Sequence, residues 1–466
     1  MGGLFHGFLS HLSSCAVWRH RMNESSLREL GMDLFEERQF ERALAVFAEA
    51  VRRVPADHRS RMLASRCLAE LGERERAVTA YHACAEGLLR RDYLLSAMAA
   101  CKLALELSPN ERRLKETLYR VHSRAARSAP GRAAVPPPLP PEHLYDGKVD
   151  TDLMGLVGEE LSNRAIEVLA APDTGGTADP QSRPPLPLFA DLDRDAFFDL
   201  VGRMVWRTIK PEEVISREGE PDDHLHVIVA GKAEVTRKTD GEDRTLGFLG
   251  GGSIFGELAL LTGAPPTASV TAVSDSEVFE IRREHLNAVA KSHPAVPQLL
   301  ADFAQQRMMR NLMANSPLFQ QLPESERGAF FQRFTFRALQ PGEKVLVEGE
   351  YSQGLFLVLA GELTVQKEDP AGGMVTLGVL REGDVAGEIS LLTGLRATAT
   401  VSVTRKTAAG WLKREAFQEL VKTFPNIRTY LEQLSDRRLK QIGEALRPLE
   451  IIDADDMMLE PETGAA

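Results

Sequence analysis

The run FGELALLTGAPPTASVTA, Phe255 to Ala272, returns as AGEISLLTGLRATATVSV, Ala386 to Val403. Each copy follows a turn-rich stretch, LGFLGGGSI from Leu246 to Ile254 and LGVLREGDV from Leu377 to Val385. Each therefore reads as a Gly-Glu loop that opens a short helix and then passes into a strand. Backbone N–H groups at the start of a short helix bind an anion through unpaired donors and the helix dipole. A carboxylate fixed beside them can accept hydrogen bonds from a sugar hydroxyl. Gly256 and Glu257, then Gly387 and Glu388, supply the glycine and the acid.

The two runs sit inside a longer duplication. PLF at 187–189 recurs at 317–319, Glu218-Gly219 at Glu348-Gly349 and Ala230-Gly231 at Ala360-Gly361, each 130 residues on, and from Leu246-Gly247 the offset becomes 131. Each copy begins with an amphipathic helix, carrying Phe197, Leu200, Val201 and Met204 in the first and Phe330 and Phe334 in the second. Short runs rich in β-branched residues follow, HLHVIVAGKAEVTRK at 224–238 and LFLVLAGELTVQK at 355–367, split by glycine turns. That spacing predicts a barrel or jelly roll, closed in each copy by a pair of helices.

At the Gly-Glu runs the chain resembles the phosphate-binding cassette of the cyclic-nucleotide-binding domain, F-G-E-[LI]-[AS]-L-x(5)-P-R-[ATS]-A-[TS]-V. The resemblance implies that Glu257 and Glu388 accept from a ribose 2′-hydroxyl and that Gly256 and Gly387 donate backbone N–H groups, with Leu258 and Ile389 beside them. It implies that Thr267, Ala268 and Thr398, after the family's arginine, face the cyclic phosphate. The arginine itself falls on Pro266 in the first copy and Ala397 in the second, and Arg396 stands one position early. In an extended segment a shift of one residue turns a side chain to the opposite face, so Arg396 reaches the ligand only if the loop slips. Three readings stay open: a sensor of cAMP or cGMP whose closing helices move on binding, an interaction scaffold whose rolls have lost the ligand, or sites that accept a different anion. In the second, glycine serves the turn and glutamate caps the short helix. The tandem rolls also resemble the regulatory subunit of the cyclic-AMP-dependent kinase, but no Arg-Arg-x-Ser or Arg-Arg-x-Ala inhibitor sequence precedes the first roll.

Towards the amino terminus, Leu30, Gly31, Leu34, Ala43, Phe47, Ala50 and Pro55 resemble a tetratricopeptide repeat, with a weaker copy 34 residues on at Ala64, Ser65, Leu68, Ala77, Tyr81 and Cys84. Ala97, Cys101, Ala104 and Pro109 resemble the end of a third, irregular unit. The resemblance implies a concave groove that holds a protein partner; the alternative is a helical spacer or dimerisation arm. Residues 128–187, with PPPLPPE and APDTGGTADPQSRPPLP, read as a linker carrying one short helix over Thr151–Ala170.

The expected organisation is α+β and multidomain: an extension at 1–21, tetratricopeptide-like helices at 22–127, the linker at 128–187, rolls at 188–315 and 316–447, and an acidic tail at 448–466. A chain of 466 residues is too long for one core. With 43% hydrophobic and 26% charged residues its composition is that of a soluble globular protein. A net charge of -11 argues against nucleic acid, which needs a basic face, and no run of about 18 apolar residues spans a membrane. Residues 1–21 lack an ordered signal peptide, and a start at Met22 is the favoured reading over Met1. Cys15, Cys67, Cys84 and Cys101 form no CxxC pair and read as small core residues of a cytoplasmic protein. GxxxxGK[ST], HExxH and GxSxG are missing, as is a helix-turn-helix after the second roll, so a non-enzymatic regulator with no cofactor is expected. His224 and His226 share a face of a predicted strand, but with no further ligand assignable they read as ordinary histidines. Tyr430, on the face of Ile427, Leu431 and Leu434, reads as helix packing.

Overall fold

The computed structural model describes residues 27–125, 151–172, 188–239, 242–263, 265–369 and 372–445. The extension 1–21, the proline run 136–142 and the tail 448–466 lie outside the described residues. The chain divides into two compact units: 1–261 with 268–304, and 262–267 with 305–466.

The first unit opens with helices Leu27–Glu36, Phe40–Arg53, His58–Glu70, Arg74–Arg90, Leu94–Leu107 and Arg112–Ala125, successive helices packing on one another. Small residues bring them close. A Cβ on Gly31 would stand 2.5 Å from the Phe47 ring, while Ala43, Phe47 and Ala50 are wholly buried. The run Ala97, Cys101 and Ala104 lies on Leu94–Leu107, which packs on Arg74–Arg90 before it and on Arg112–Ala125 after it. Cys67, Cys84 and Cys101 are buried and form no disulfide among the described residues, and burial pushes the thiols of Cys67 and Cys101 far above their usual range. They pack as small apolar groups.

The segment expected to be a linker contributes structure. Its single predicted helix is two, Thr151–Met154 and Gly158–Ala170, broken at Gly155-Leu156-Val157. Leu153, Leu161, Ala165 and Leu169 are buried against the second and fourth helices of the unit. The guanidinium of Arg61, 1% exposed, donates from its two terminal nitrogens to the carbonyls of Leu169, Ala171 and Pro55, two of them at the carboxy-terminal end of Gly158–Ala170 where the helix dipole favours a cation. The apolar face predicted there was real; what the composition concealed was its partner.

The same core continues into the first roll, where Phe197, Leu200, Leu225, Val227, Phe279 and Ile281 join the cluster of the amino-terminal helices. Polar contacts follow the seam: Lys102 Nζ donates to the Gly202 carbonyl at 2.9 Å, Lys210 pairs with Glu36 at 2.7 Å, and Arg194 lies 4.5 Å over the Tyr119 ring. At this seam burial raises the pKa of Glu277 above its ordinary value, which the Arg59 cation only partly offsets.

The first roll consists of two antiparallel sheets. Strands β1 (Val205–Ile209), β8 (Ser276–Arg282), β3 (His224–Ala230) and β6 (Ile254–Phe255) form one, and β2 (Val214–Ser216), β7 (Ser269–Ala272), β4 (Lys232–Thr239) and β5 (Glu242–Gly250) the other. Gly231, at φ 96, turns the chain from β3 into β4 where a Cβ would strike the Asp275 carbonyl at 2.7 Å. The second roll repeats the plan with β9 (Thr335–Leu339), β10 (Lys344–Leu346), β11 (Gly354–Glu368), β12 (Met374–Leu380), β13 (Val385–Ala386) and β14 (Thr400–Lys413), of which the longer β11 and β14 run through both sheets and join them into one of six strands. Gly361 occupies the turn position as an irregularity inside β11. Helices Arg283–Ser292 and Val296–Asn315 follow the first roll, and Arg414–Thr423 and Pro425–Ala445 the second.

Candidate functional site

In the second roll the chain leaves β13 (Val385–Ala386) through Gly387 and enters the helix Glu388–Thr393. Gly387 has φ 95, and a Cβ there would stand 2.8 Å from both the Gly354 carbonyl and the Ser352 hydroxyl. Only glycine fits this turn. The turn delivers Glu388, 2% exposed, to the wall of a cavity of about 280 Å³ whose other walls include Val365, Leu380, Ala397, Thr398 and Val401. The residues expected in the site, Gly387, Glu388, Ile389 and Thr398, all line it.

Arg396 does not. Its guanidinium donates to the Gly349 carbonyl at 3.0 Å and lies 5.5 Å from the Tyr351 ring, outside the cavity. The expectation that it supplies a ligand cation is corrected by backbone geometry. Ala397 N–H donates to the Glu350 carbonyl at 2.7 Å and Gly349 N–H to the Ala397 carbonyl at 2.9 Å, so the segment is extended and does not slip. Ala397 faces inward and Arg396 outward.

The cation that lines the cavity comes from elsewhere. Arg438, on the closing helix Pro425–Ala445, places Nη1 2.7 Å from Glu388 Oε1 and donates from the same nitrogen to the Val385 carbonyl at 2.7 Å. Gln441 and Ile442 of that helix also line the cavity. Sequence reasoning missed Arg438, although a signal existed: Ile427, Leu431 and Ser435 are the buried stripe, and 438 continues it at helical spacing with a charged residue. Tyr430 is half-buried and does not line the cavity; burial raises its hydroxyl above the ordinary range.

In the first roll Gly256, φ 88, is held by the same constraint, since a Cβ would meet the His224 carbonyl at 2.3 Å. Glu257 is 4% exposed at the start of Glu257–Thr262, with Leu258 half-buried next to it. The rest of this cassette diverges. Residues 262–267 belong to the second compact unit, and there the Thr267 hydroxyl donates to the Glu382 carboxylate at 3.2 Å. Ala268 returns to the first unit and leads into β7.

Residues 206–293 and 336–424 match the family described as the cyclic nucleotide-binding domain. Two segments in tandem therefore match this domain. It is similar to the cAMP-dependent protein kinase regulatory subunit of Blastocladiella emersonii, 28% identical over 236 residues, which are 50% of this chain and 56% of that protein. The cAMP-dependent protein kinase regulatory subunit of Yarrowia lipolytica is 29% identical over 236 residues, 50% of this chain and 58% of its own. The chain spans about half the length of these curated relatives. A solved structure of the regulatory domain of Toxoplasma gondii PKA with cAMP is 24% identical, covering 53% of this chain and 92% of that one at a TM-score of 0.27. Among the described residues no helix is long and apolar enough to cross a membrane.

Proposed function

We propose that the chain is a non-enzymatic cytoplasmic regulator in which the second roll senses a ribose-bearing ligand of the cyclic-nucleotide class and the closing helix Pro425–Ala445 transmits the occupancy. The observation that carries this reading is the buried Glu388 carboxylate at the cavity wall, held by Arg438 from that helix. A ribose hydroxyl that donates to Glu388 competes with Arg438 for the same oxygens. Ligand entry then frees the helix, an equilibrium biased by differential contact with the two states. Gly387, Ile389 and Thr398 would complete the second site, and Gly256, Glu257, Leu258, Thr267 and Ala268 the corresponding first one. The amino-terminal helices, tetratricopeptide-like in their small-residue spacing, would hold a protein partner.

Ala397 where an arginine would meet a phosphate supports a ligand whose charge contributes little. Hydrogen bonds to charged groups contribute roughly 1.5–3 kcal/mol each, so loss of a bidentate pair weakens a cyclic phosphate on the order of 100-fold. The ribose contacts are unaffected. cAMP or cGMP and the parent nucleoside should then bind with similar affinity. A second reading, a scaffold with no ligand, is favoured by the same Ala397 and by the Arg438–Glu388 pair acting as a permanent filler.

Titration calorimetry of the full chain with cAMP, cGMP, adenosine and guanosine separates them. The sensor reading expects binding that Glu388→Ala abolishes, with cyclic nucleotide and nucleoside within about tenfold of each other, and a gain on the order of 100-fold for the cyclic nucleotide alone in Ala397→Arg. No heat from the parent, with binding gained only in Ala397→Arg, would establish the scaffold.

A further inference from the structure

Asp222, His224 and His226 occupy alternate positions entering β3, and alternate side chains of an extended chain share one face. Asp222 Oδ1 lies 3.1 Å from His224 Nδ1 and Asp222 Oδ2 lies 3.2 Å from His226 Nε2. One ligand atom from each of the three falls within 4.8 Å of the other two. Donors around a tetrahedral zinc ion, at bonds of about 2.0–2.2 Å, stand roughly 3.3–3.6 Å apart, so an ion fits after a small spreading of the cluster. Asp222 is aimed from behind by the Ser216 hydroxyl at 2.7 Å and the His224 N–H at 3.0 Å, the outer contacts that orient a metal-binding carboxylate. Asp223 Oδ1, 3.0 Å from His224 Nδ1 and 61% exposed in its side chain, is placed to share the fourth position with water.

The duplication shows that the fold does not require this cluster. At the corresponding places the second roll has Ser352, Gly354 and Phe356, with Leu346 opposite Ser216, yet it forms the same strand and the same glycine turn. There the Ser352 hydroxyl alone stands by Gly387 and donates to the Gly354 carbonyl at 2.7 Å. Three side chains able to hold a metal are therefore additions of the first roll, beyond its structural needs.

We infer that the first roll binds one divalent transition-metal ion, of the zinc, cobalt or nickel type, through Asp222, His224 and His226. Two imidazoles and one carboxylate suit these borderline ions and not magnesium or calcium, which take oxygen ligands. The site is exchangeable. His226 is 2% exposed and its Nδ1 has no hydrogen-bond partner, so coordination through Nε2 places the ring proton on a nitrogen without an acceptor. That weakens binding on the order of 10- to 100-fold relative to a site with a completed outer shell. The ion would sit against the first Gly-Glu loop: the His226 ring stacks on Phe255 at 4.8 Å, and His226 pairs with Phe255 in register.

The test is calorimetric titration of the metal-stripped full chain with Zn²⁺, and with Co²⁺ monitored by its visible absorption. The expected result is one site with micromolar affinity and an intense tetrahedral Co²⁺ band. Affinity should fall by about 100-fold in His224→Ala and in the double variant Asp222→Ser, His226→Phe, which installs the second roll's own residues and so preserves the fold, as circular dichroism would verify. Unchanged Zn²⁺ binding in both variants, or no uptake of either ion by the parent at millimolar concentration, overturns the inference.

Discussion

Replacing Arg438 by alanine and replacing Glu388 by glutamine should have unequal consequences, because the two partners are buried to different depths. The Glu388 side chain is 2% exposed and that of Arg438 is 21% exposed. Removing the guanidinium leaves a buried carboxylate without its charged partner. Breaking a fully buried pair costs about 3–5 kcal/mol, and the partial exposure of Arg438 reduces this to about 2–3 kcal/mol. Removing the charge from Glu388 instead leaves Arg438 its bond to the Val385 carbonyl and access to solvent, for about 1 kcal/mol. The double variant should cost less than the two singles added, with a coupling of about 1–2 kcal/mol. Since the pair joins Pro425–Ala445 to the cassette, the loss should appear as local opening of that helix. Hydrogen exchange of residues 425–445 in the full chain reads it directly, and does not assume that two units unfold together. Additivity within about 0.5 kcal/mol, or equal protection of the helix in parent and Arg438→Ala, would refute the reasoning.

Three other outcomes follow from the packing. Gly387→Ala should destabilise the second roll by about 2 kcal/mol or more, since the residue has φ 95 and a Cβ would lie 2.8 Å from two oxygens; denaturant melts of the full chain against Gly394→Ala, which has open space around it, separate collision from backbone strain. Leu161→Ala should cost about 2–5 kcal/mol in the first unit, and a proteolysis rate between 158 and 170 equal to the parent's would show that this helix does not belong to the core. Glu277→Gln should raise the melting temperature at pH 8 and leave it unchanged near pH 4. The Glu277 acidity is displaced above 4.5 by burial, so its stabilising contribution is complete below that pH and is lost as pH rises through the folded value. A variant less stable than the parent at pH 8 would mean that attraction to Arg59 outweighs burial.

The duplication was legible because its punctuation is backbone geometry. Gly231 and Gly361, like Gly256 and Gly387, are dictated by positive φ and by carbonyls at 2.3–2.8 Å from any added Cβ, and such constraints leave the same letter at the same spacing. The helical pairs were legible for a related reason, since Gly31 against Phe47 is a contact between residues 16 apart that only a small side chain permits. Tertiary partners were not legible. Leu153, Leu161 and Leu169 advertise an apolar face, but nothing local tells that the face meets the amino-terminal helices across a proline-rich sequence. Arg438 reads as one more charged residue of a charged helix until Glu388 is placed beside it, and Asp222 precedes β3, so strand periodicity did not gather it with His224 and His226.

The two rolls have put the same framework to different uses. In the first, one sheet and its flanking helices are continuous with the core of the amino-terminal helices, and the hydroxyl of Thr267 is taken up by Glu382. In the second, the corresponding Thr398 lines an open cavity, and the acid of the Gly-Glu turn is held by one removable side chain on a terminal helix. A core shared between elements resists local opening, whereas a helix held to its roll by an ion pair and apolar contacts of its own opens at lower cost. The proposed responsiveness is therefore assigned to the second roll. Exchanging the residues at 266 and 397 for arginine tests that division without altering either core: a phosphate ligand should gain much more from Ala397→Arg than from Pro266→Arg. Equal gains from the two would place an equally accessible site in the first roll and remove the asymmetry on which the assignment rests.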